Sequence, residues 1–179
     1  MAEKSVLIFI EEAYEDMELM YPKYRLQEAG YSVVIAGTKE GHRYTGKHGY
    51  PCASDAAIAD VSESDFCGVI LVGGWAPDKL RRDPKVRSLI AEFHRAKKVI
   101  AAICHGGWMA ISSGVYKGVR VTGSPGIKDD LINAGAIYVS EPVVVDEKFV
   151  SSRNPDDLPH FMKGVLTVLE GERESAARR

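Results

Sequence analysis

No apolar run in the 179 residues approaches the length of a membrane span, so no bilayer-crossing helix is expected. The three cysteines, Cys52, Cys67 and Cys104, are an odd set without paired spacing, which excludes a disulfide-built scaffold. Neither sign of charge dominates: 23 Lys and Arg stand against 25 Asp and Glu, a formal net charge of −2. That balance removes the electrostatic footprint of a dedicated nucleic-acid or membrane surface. No Walker or dinucleotide glycine fingerprint occurs. His42, His48, His94 and His160 lack paired ligand spacing, so neither a metal nor another cofactor is expected. Repeats, low-complexity stretches and domain linkers are also missing. The start, "MAEKSVLIFI", is too short in its apolar part for a signal peptide. With the cysteine usage, this predicts a reduced, cytoplasmic protein whose special cysteines are reactive rather than bridged.

What is present is a regular alternation. "SVLIFI", "YSVVIAG", "GVILVGGW" and "VIAAIC" are short apolar runs separated by helical patterns. "DPKVRSLIAEFHRAKK" is amphipathic, with Asp83 placed to cap it and Pro84 in its first position. "MELMYPKYRLQEAG" predicts a helix closed by Gly30, with Pro22 either kinking it or delaying its start. "TGKHGYPCASD" suits a hairpin or irregular excursion. "AIYVS" reads as a further strand, "PVVVDEKFVSS" as a hairpin, and "DDLPHFMKGVLTVLEG" as a closing helix. The pattern predicts one α/β domain over residues 1–172, a three-layer α/β/α sandwich with a mostly parallel sheet, followed by a polar tail at 173–179.

In such sheets, sites gather beyond the carboxyl ends of the strands. Three ends here carry chemistry: "EEAYEDME" after the first strand, "GGWAPD" after the third and "CHGG" after the fourth. Cys104 sits at a strand-to-helix switch followed by Gly106 and Gly107, the pattern of a nucleophile elbow. A helix N-terminus beside it would favour thiolate and lower the thiol pKa below its free value. The competing reading is a buried structural cysteine, which is also the reading for Cys52 and Cys67. Gly73 and Gly74 are candidate backbone donors for an oxyanion. Among the acidic residues, Glu15 and Glu18 are better placed to reach Cys104 than Glu11 and Glu12; a carboxyl buried there would be protonated and donate a hydrogen bond. His105 is adjacent in sequence, but neighbouring side chains rarely face the same way.

"EDMELMYP", "GKHGY", "LVGGWAPDKLR", "AAICHGGWMAISSG", "SPGIKDDLINAGA" and "VSSRNPDDLPHFM" together resemble the PfpI family, a branch of the Parkinsonism-associated deglycase superfamily within the class I glutamine amidotransferase-like fold. The resemblance implies a flavodoxin-like fold and a homodimer or a hexamer built of dimers. It implies Cys104 as nucleophile with His105 beside it, and Glu18, with Glu15 as alternative, as the acid on the sulfur. Gly74 and His105 are implied as backbone oxyanion donors. In peptidase-like members a glutamate of a neighbouring subunit orients the histidine; the matching position is Asp78, one methylene shorter. That branch often carries Tyr before "PGIKDD", where this chain has Ser124. The implied function is a glutathione-independent, stress-response deglycase or glyoxalase acting on dicarbonyls and early glycation adducts. The alternatives are a cysteine peptidase with an oligomer-completed Cys104–His105–Asp78 site, and a non-enzymatic redox sensor or chaperone using an oxidisable Cys104.

Overall fold

A computed structural model describes residues 4–177, with side chains through Gly171. The elements run β1 (Ser5–Phe9), α1 (Asp16–Glu28), β2 (Ser32–Gly37), β3 (Arg43–Thr45), β4 (Pro51–Ala53), β5 (Ala56–Ala57), β6 (Gly68–Leu71), α2 (Ala76–Leu80), α3 (Pro84–Arg95), β7 (Val99–Ile103), α4 (Gly107–Ser112), β8 (Arg120–Val121), α5 (Lys128–Asn133), β9 (Ile137–Tyr138), β10 (Val144–Asp146), β11 (Phe149–Ser152) and α6 (Leu158–Ala177). Seven strands form the main sheet in the order β10-β11-β7-β6-β1-β2-β5, parallel except for the β10–β11 hairpin.

The strands are apolar because they are covered on both faces: Leu7, Ile8 and Phe9 of β1 and all of β7 are buried. From β1 the chain steps one way to β2 and then the other way through β6, β7 and β11. Right-handed crossovers therefore put the connecting helices on opposite faces. Helices α1 and α6 pack together against β2, β7 and β11, while α3 and α4 pack together against β6 and β7. Helix α3 buries Val86, Leu89, Ile90 and Phe93 at helical spacing, and the Asp83 carboxylate accepts the Lys85 N–H at 2.8 Å.

The reversal between β1 and β6 is the switch point of this sheet, where loops diverge and leave a crevice. The β1–α1, β6–α2 and β7–α4 connections all open there. The predicted sandwich and mostly parallel sheet are present. Among the described residues, no helix is long and apolar enough to cross a membrane.

Three local expectations are refined. Pro22 lies inside α1, which starts early at Asp16; Pro22 has no N–H to give the Glu18 carbonyl. "AIYVS" does not join the main sheet: β9 pairs with β8 in a separate two-stranded ribbon, since the β10–β11 hairpin takes the sheet edge. Helix α6 continues through Ala177, so residues 173–177 of the expected tail are helical, while 178–179 lie outside the described residues.

Gly106 seats the elbow against β6: a Cβ there would lie 2.0 Å from the Leu71 carbonyl oxygen. Gly106→Ala should destabilise the fold by about 1–3 kcal/mol or more through overpacking. Gly171→Ala, whose Cβ meets nothing within 4 Å, should instead be neutral to stabilising by up to about 1 kcal/mol. Urea unfolding of both variants checks the pair; equal stability of Gly106→Ala and the parent would contradict the contact.

Candidate active site

Cys104 follows the last residue of β7 with φ +59°, one of four non-glycine residues with positive φ among those described. Such a conformation costs an L-residue about 1–3 kcal/mol and is held only where its surroundings enforce it. The enforcement is visible: Gly106 lies on β6, and Ser124 N–H donates to the Cys104 carbonyl at 3.3 Å. The turn changes what adjacency means. His105 Nδ1 lies 3.2 Å from Cys104 Sγ, so the two neighbours face one another, against the sequence expectation.

Glu18 reaches the same point from the first turns of α1 and is wholly buried. Its Oε2 accepts the Gly73 N–H at 2.7 Å. Its carboxyl interacts with the Cys104 side chain, while Oε1 has no hydrogen-bond partner. Oε1, with no partner of its own, is free to carry the proton of the neutral acid. Burial, opposed by Gly73 N–H and reinforced by the Glu15 charge, pushes the Glu18 carboxyl up to about 8.

Cys104 differs from the expected low-pKa thiol. Burial, and then the negative charge of Glu18, push it up to about 12, with the His105 and Gly74 N–H groups acting the other way. Two acids buried side by side share one charge far more readily than two. When Glu18 is neutral the charge repulsion vanishes, and the donors oppose burial alone. Burial, then the charge of Lys47, hold His105 below its ordinary value. His105 is therefore a neutral imidazole at 3.2 Å from the thiol, placed to accept its proton in the tautomer protonated on Nε2.

The two loops below are laced together. Glu15 N–H donates to Gly73 O at 3.1 Å and Trp75 N–H to Ala13 O at 2.8 Å. Gly74, at φ +78°, has no room for a side chain against Ala13 O and Glu15 N, 2.4 and 2.5 Å from a would-be Cβ. Of the paired glycines, Gly74, together with His105, directs its N–H to Cys104; the Gly73 donor is spent on Glu18.

The remaining candidates separate. Glu15 is buried but turns to the β3–β4 loop, 3.5 Å from Lys47 Nζ and 3.4 Å from His48 Nε2. Asp78 is half exposed on α2 and ion-paired with Arg82, whose hydrogen bond lowers its pKa. The side-chain charge that acts on His105 is that of Lys47, not of Asp78. Ser124 caps the turn before α5, accepting Gly126 N–H.

Glu15, Asp16 and His48 bring ligand-type atoms within 4.8 Å of one another. Yet the Asp16 oxygens already accept the His48 and Tyr50 N–H groups at 2.9 and 2.8 Å, so the cluster clamps the hairpin. Nothing in the sequence pattern singles out Lys47, Trp75 or Trp108. Lys47 lies in "GKHGY", and the tripeptide "GGW" occurs at both 73–75 and 106–108.

Glu18 also imposes a pH dependence on stability. Its folded pKa is raised from 4.5 to about 8, so its contribution is fully present below about 4.5 and is lost as pH rises through about 8. Between those limits the parent should lose up to roughly 1.4 kcal/mol per pH unit relative to Glu18→Gln. Urea unfolding of both proteins from pH 5 to 8 measures this; parallel curves would contradict a neutral Glu18.

The sequence profile of the DJ-1/PfpI family matches residues 4–168. A Pyrococcus abyssi protein named deglycase is 43% identical over 165 residues, covering 92% of this chain and 99% of that one. YraA of Bacillus subtilis, which carries cysteine protease in its name, is 41% identical over 167 residues, covering 93% and 99%. Among solved structures, a two-domain Anabaena variabilis protein with DJ-1/ThiJ/PfpI-like and ferritin-like domains matches with a TM-score of 0.91 at 38% identity. The match covers 93% of this chain and 50% of that one, so this chain spans half its length. Drosophila melanogaster DJ-1beta matches with a TM-score of 0.84 at 27% identity, covering 94% and 96%.

Proposed function

Because the chain belongs to the DJ-1/PfpI family, we propose that it is a cysteine-dependent enzyme that acts on reactive dicarbonyls and early glycation adducts. The observation that carries this reading is the convergence on one sulfur of a neutral base, His105 Nδ1 at 3.2 Å, a buried acid, Glu18, and two N–H donors, Gly74 and His105. The relatives named deglycase support the substrate class.

The chemistry follows from the positions. His105 takes the thiol proton as Cys104 Sγ attacks the aldehyde carbon of methylglyoxal. The developing oxyanion is held by the Gly74 and His105 N–H groups and protonated from Glu18 or the imidazolium. Transfer of the C1 proton to C2 through an enediol converts the hemithioacetal to a lactoyl thioester. Water then cleaves the thioester, and methylglyoxal plus water has become lactate plus a proton. For an aminocarbinol or hemithioacetal on a protein, the amine or thiol leaves with a proton from the same acid.

Cys104→Ala should reduce lactate formation from methylglyoxal at least about a hundredfold, followed by proton NMR. Equal yields from the variant and the parent would refute the reading. The name of YraA favours a peptidase as second reading, but a peptidase histidine oriented by Asp78 must first break the Asp78–Arg82 ion pair. Fluorogenic peptides assayed across size-exclusion fractions should show no Cys104-dependent cleavage; cleavage confined to a larger oligomer would establish the peptidase.

A further inference from the structure

A histidine acting as base beside a thiol must be held in one orientation, and in a triad a carboxylate on the far ring nitrogen does this. Here the far nitrogen, Nε2, faces the turn at 124–126: a Cβ on Gly126 would lie 3.5 Å from it. The imidazole is instead flanked by two indoles. Trp108 meets it edge to face, with centroids 5.0 Å apart and planes at 72°. Trp75 covers another side at 6.0 Å and 44°.

Trp108 is itself fixed from two neighbouring segments. Its Nε1–H donates to Asp130 Oδ2 of α5 at 2.7 Å. The Arg81 guanidinium lies 5.3 Å from its ring centroid, and Arg81 Nε donates to Ser112 Oγ at the end of α4 at 2.8 Å. Trp75, by contrast, is 59% exposed at the mouth of the site.

We propose that Trp108, locked by Asp130 and Arg81, is the positioning residue of His105 and holds the imidazole by ring packing, with Trp75 as the outer wall. The inference rests on reading Cys104 as the nucleophile and His105 as its base. One feature of the arrangement suits that base. The indoles exclude water, which keeps the resting imidazole neutral.

Three variants test this: Trp108→Ala, Trp108→Phe, which keeps a ring but loses the bond to Asp130, and Asp130→Asn on the protein surface. The readouts are the NMR titration of the His105 ring and the pH profile of Cys104 alkylation by iodoacetamide, resolved from Cys52 and Cys67 by mass spectrometry. Trp108→Ala should let the His105 pKa rise toward its ordinary value of about 6.5 and slow alkylation at neutral pH about fivefold or more. Trp108→Phe should recover much of both, with Asp130→Asn between the parent and Trp108→Ala. If Trp108→Ala does not fold, the ordering of the other two against the parent decides.

An unchanged His105 titration in Trp108→Ala, or in Asp130→Asn if Trp108→Ala does not fold, overturns the proposal. So does a shift produced by Asp78→Ala instead. Cys104 reacting no faster than Cys52 and Cys67 in the parent overturns the nucleophile reading on its own, and the His105 titration still decides the role of Trp108.

Discussion

A carboxyl and a thiol buried against each other set the terms for the rest of the site. Glu18 has no exposed surface and Cys104 is half-buried. Two negative charges there would repel at short range with little water between them. The structure answers with protons and dipoles rather than with a counter-ion in contact: a carboxyl raised to about 8, a Gly73 N–H on one of its oxygens, and two further N–H groups on the sulfur. Lys47 adds a cation at longer range, paired with Glu15. Reactivity is therefore stored as an arrangement that becomes charged on attack, with His105 ready to take the proton. It is not stored as a free thiolate in the resting site.

Holding that arrangement requires strain and close approach. Cys104 sits at φ +59° because β7 ends between two neighbours and must turn at once into α4. Gly106 allows the turn to lie on the Leu71 carbonyl. Gly74 allows the β6 loop to press on the β1 loop, which lashes the start of α1, and with it Glu18, to the elbow. The switch point of the sheet supplies the crevice; the glycines make it tight enough for a carboxyl and a sulfur to touch.

Much of this was legible in the sequence because it depends on local pattern. The alternation of apolar runs and amphipathic helices carries the sandwich, and "CHGG" at a strand end marks the elbow. Residue spacing could not show that a positive φ at Cys104 turns His105 back onto the sulfur. Nor could it weigh burial against helix-end dipoles, and for that reason the expected low thiol pKa is reversed. The contacts of Asp78 with Arg82, Glu15 with Lys47 and His48, and Trp108 with Asp130 join different elements or different turns of one helix. Nothing in the linear order selects those partners over others. The short β8–β9 ribbon escapes sequence reading because two-residue strands leave almost no periodic signal.

The protonation state of Glu18 is the quantity on which the site depends. Carbon NMR of side-chain-labelled glutamates, assigned by the signal lost in Glu18→Gln, reports it directly across pH. The structure predicts one glutamate carboxyl that stays protonated through neutrality and titrates near 8, far from the ordinary value of about 4.3. A Glu18 signal already ionised at pH 6 would contradict the shared-proton pair and, with it, the role of Glu18 as the acid beside Cys104.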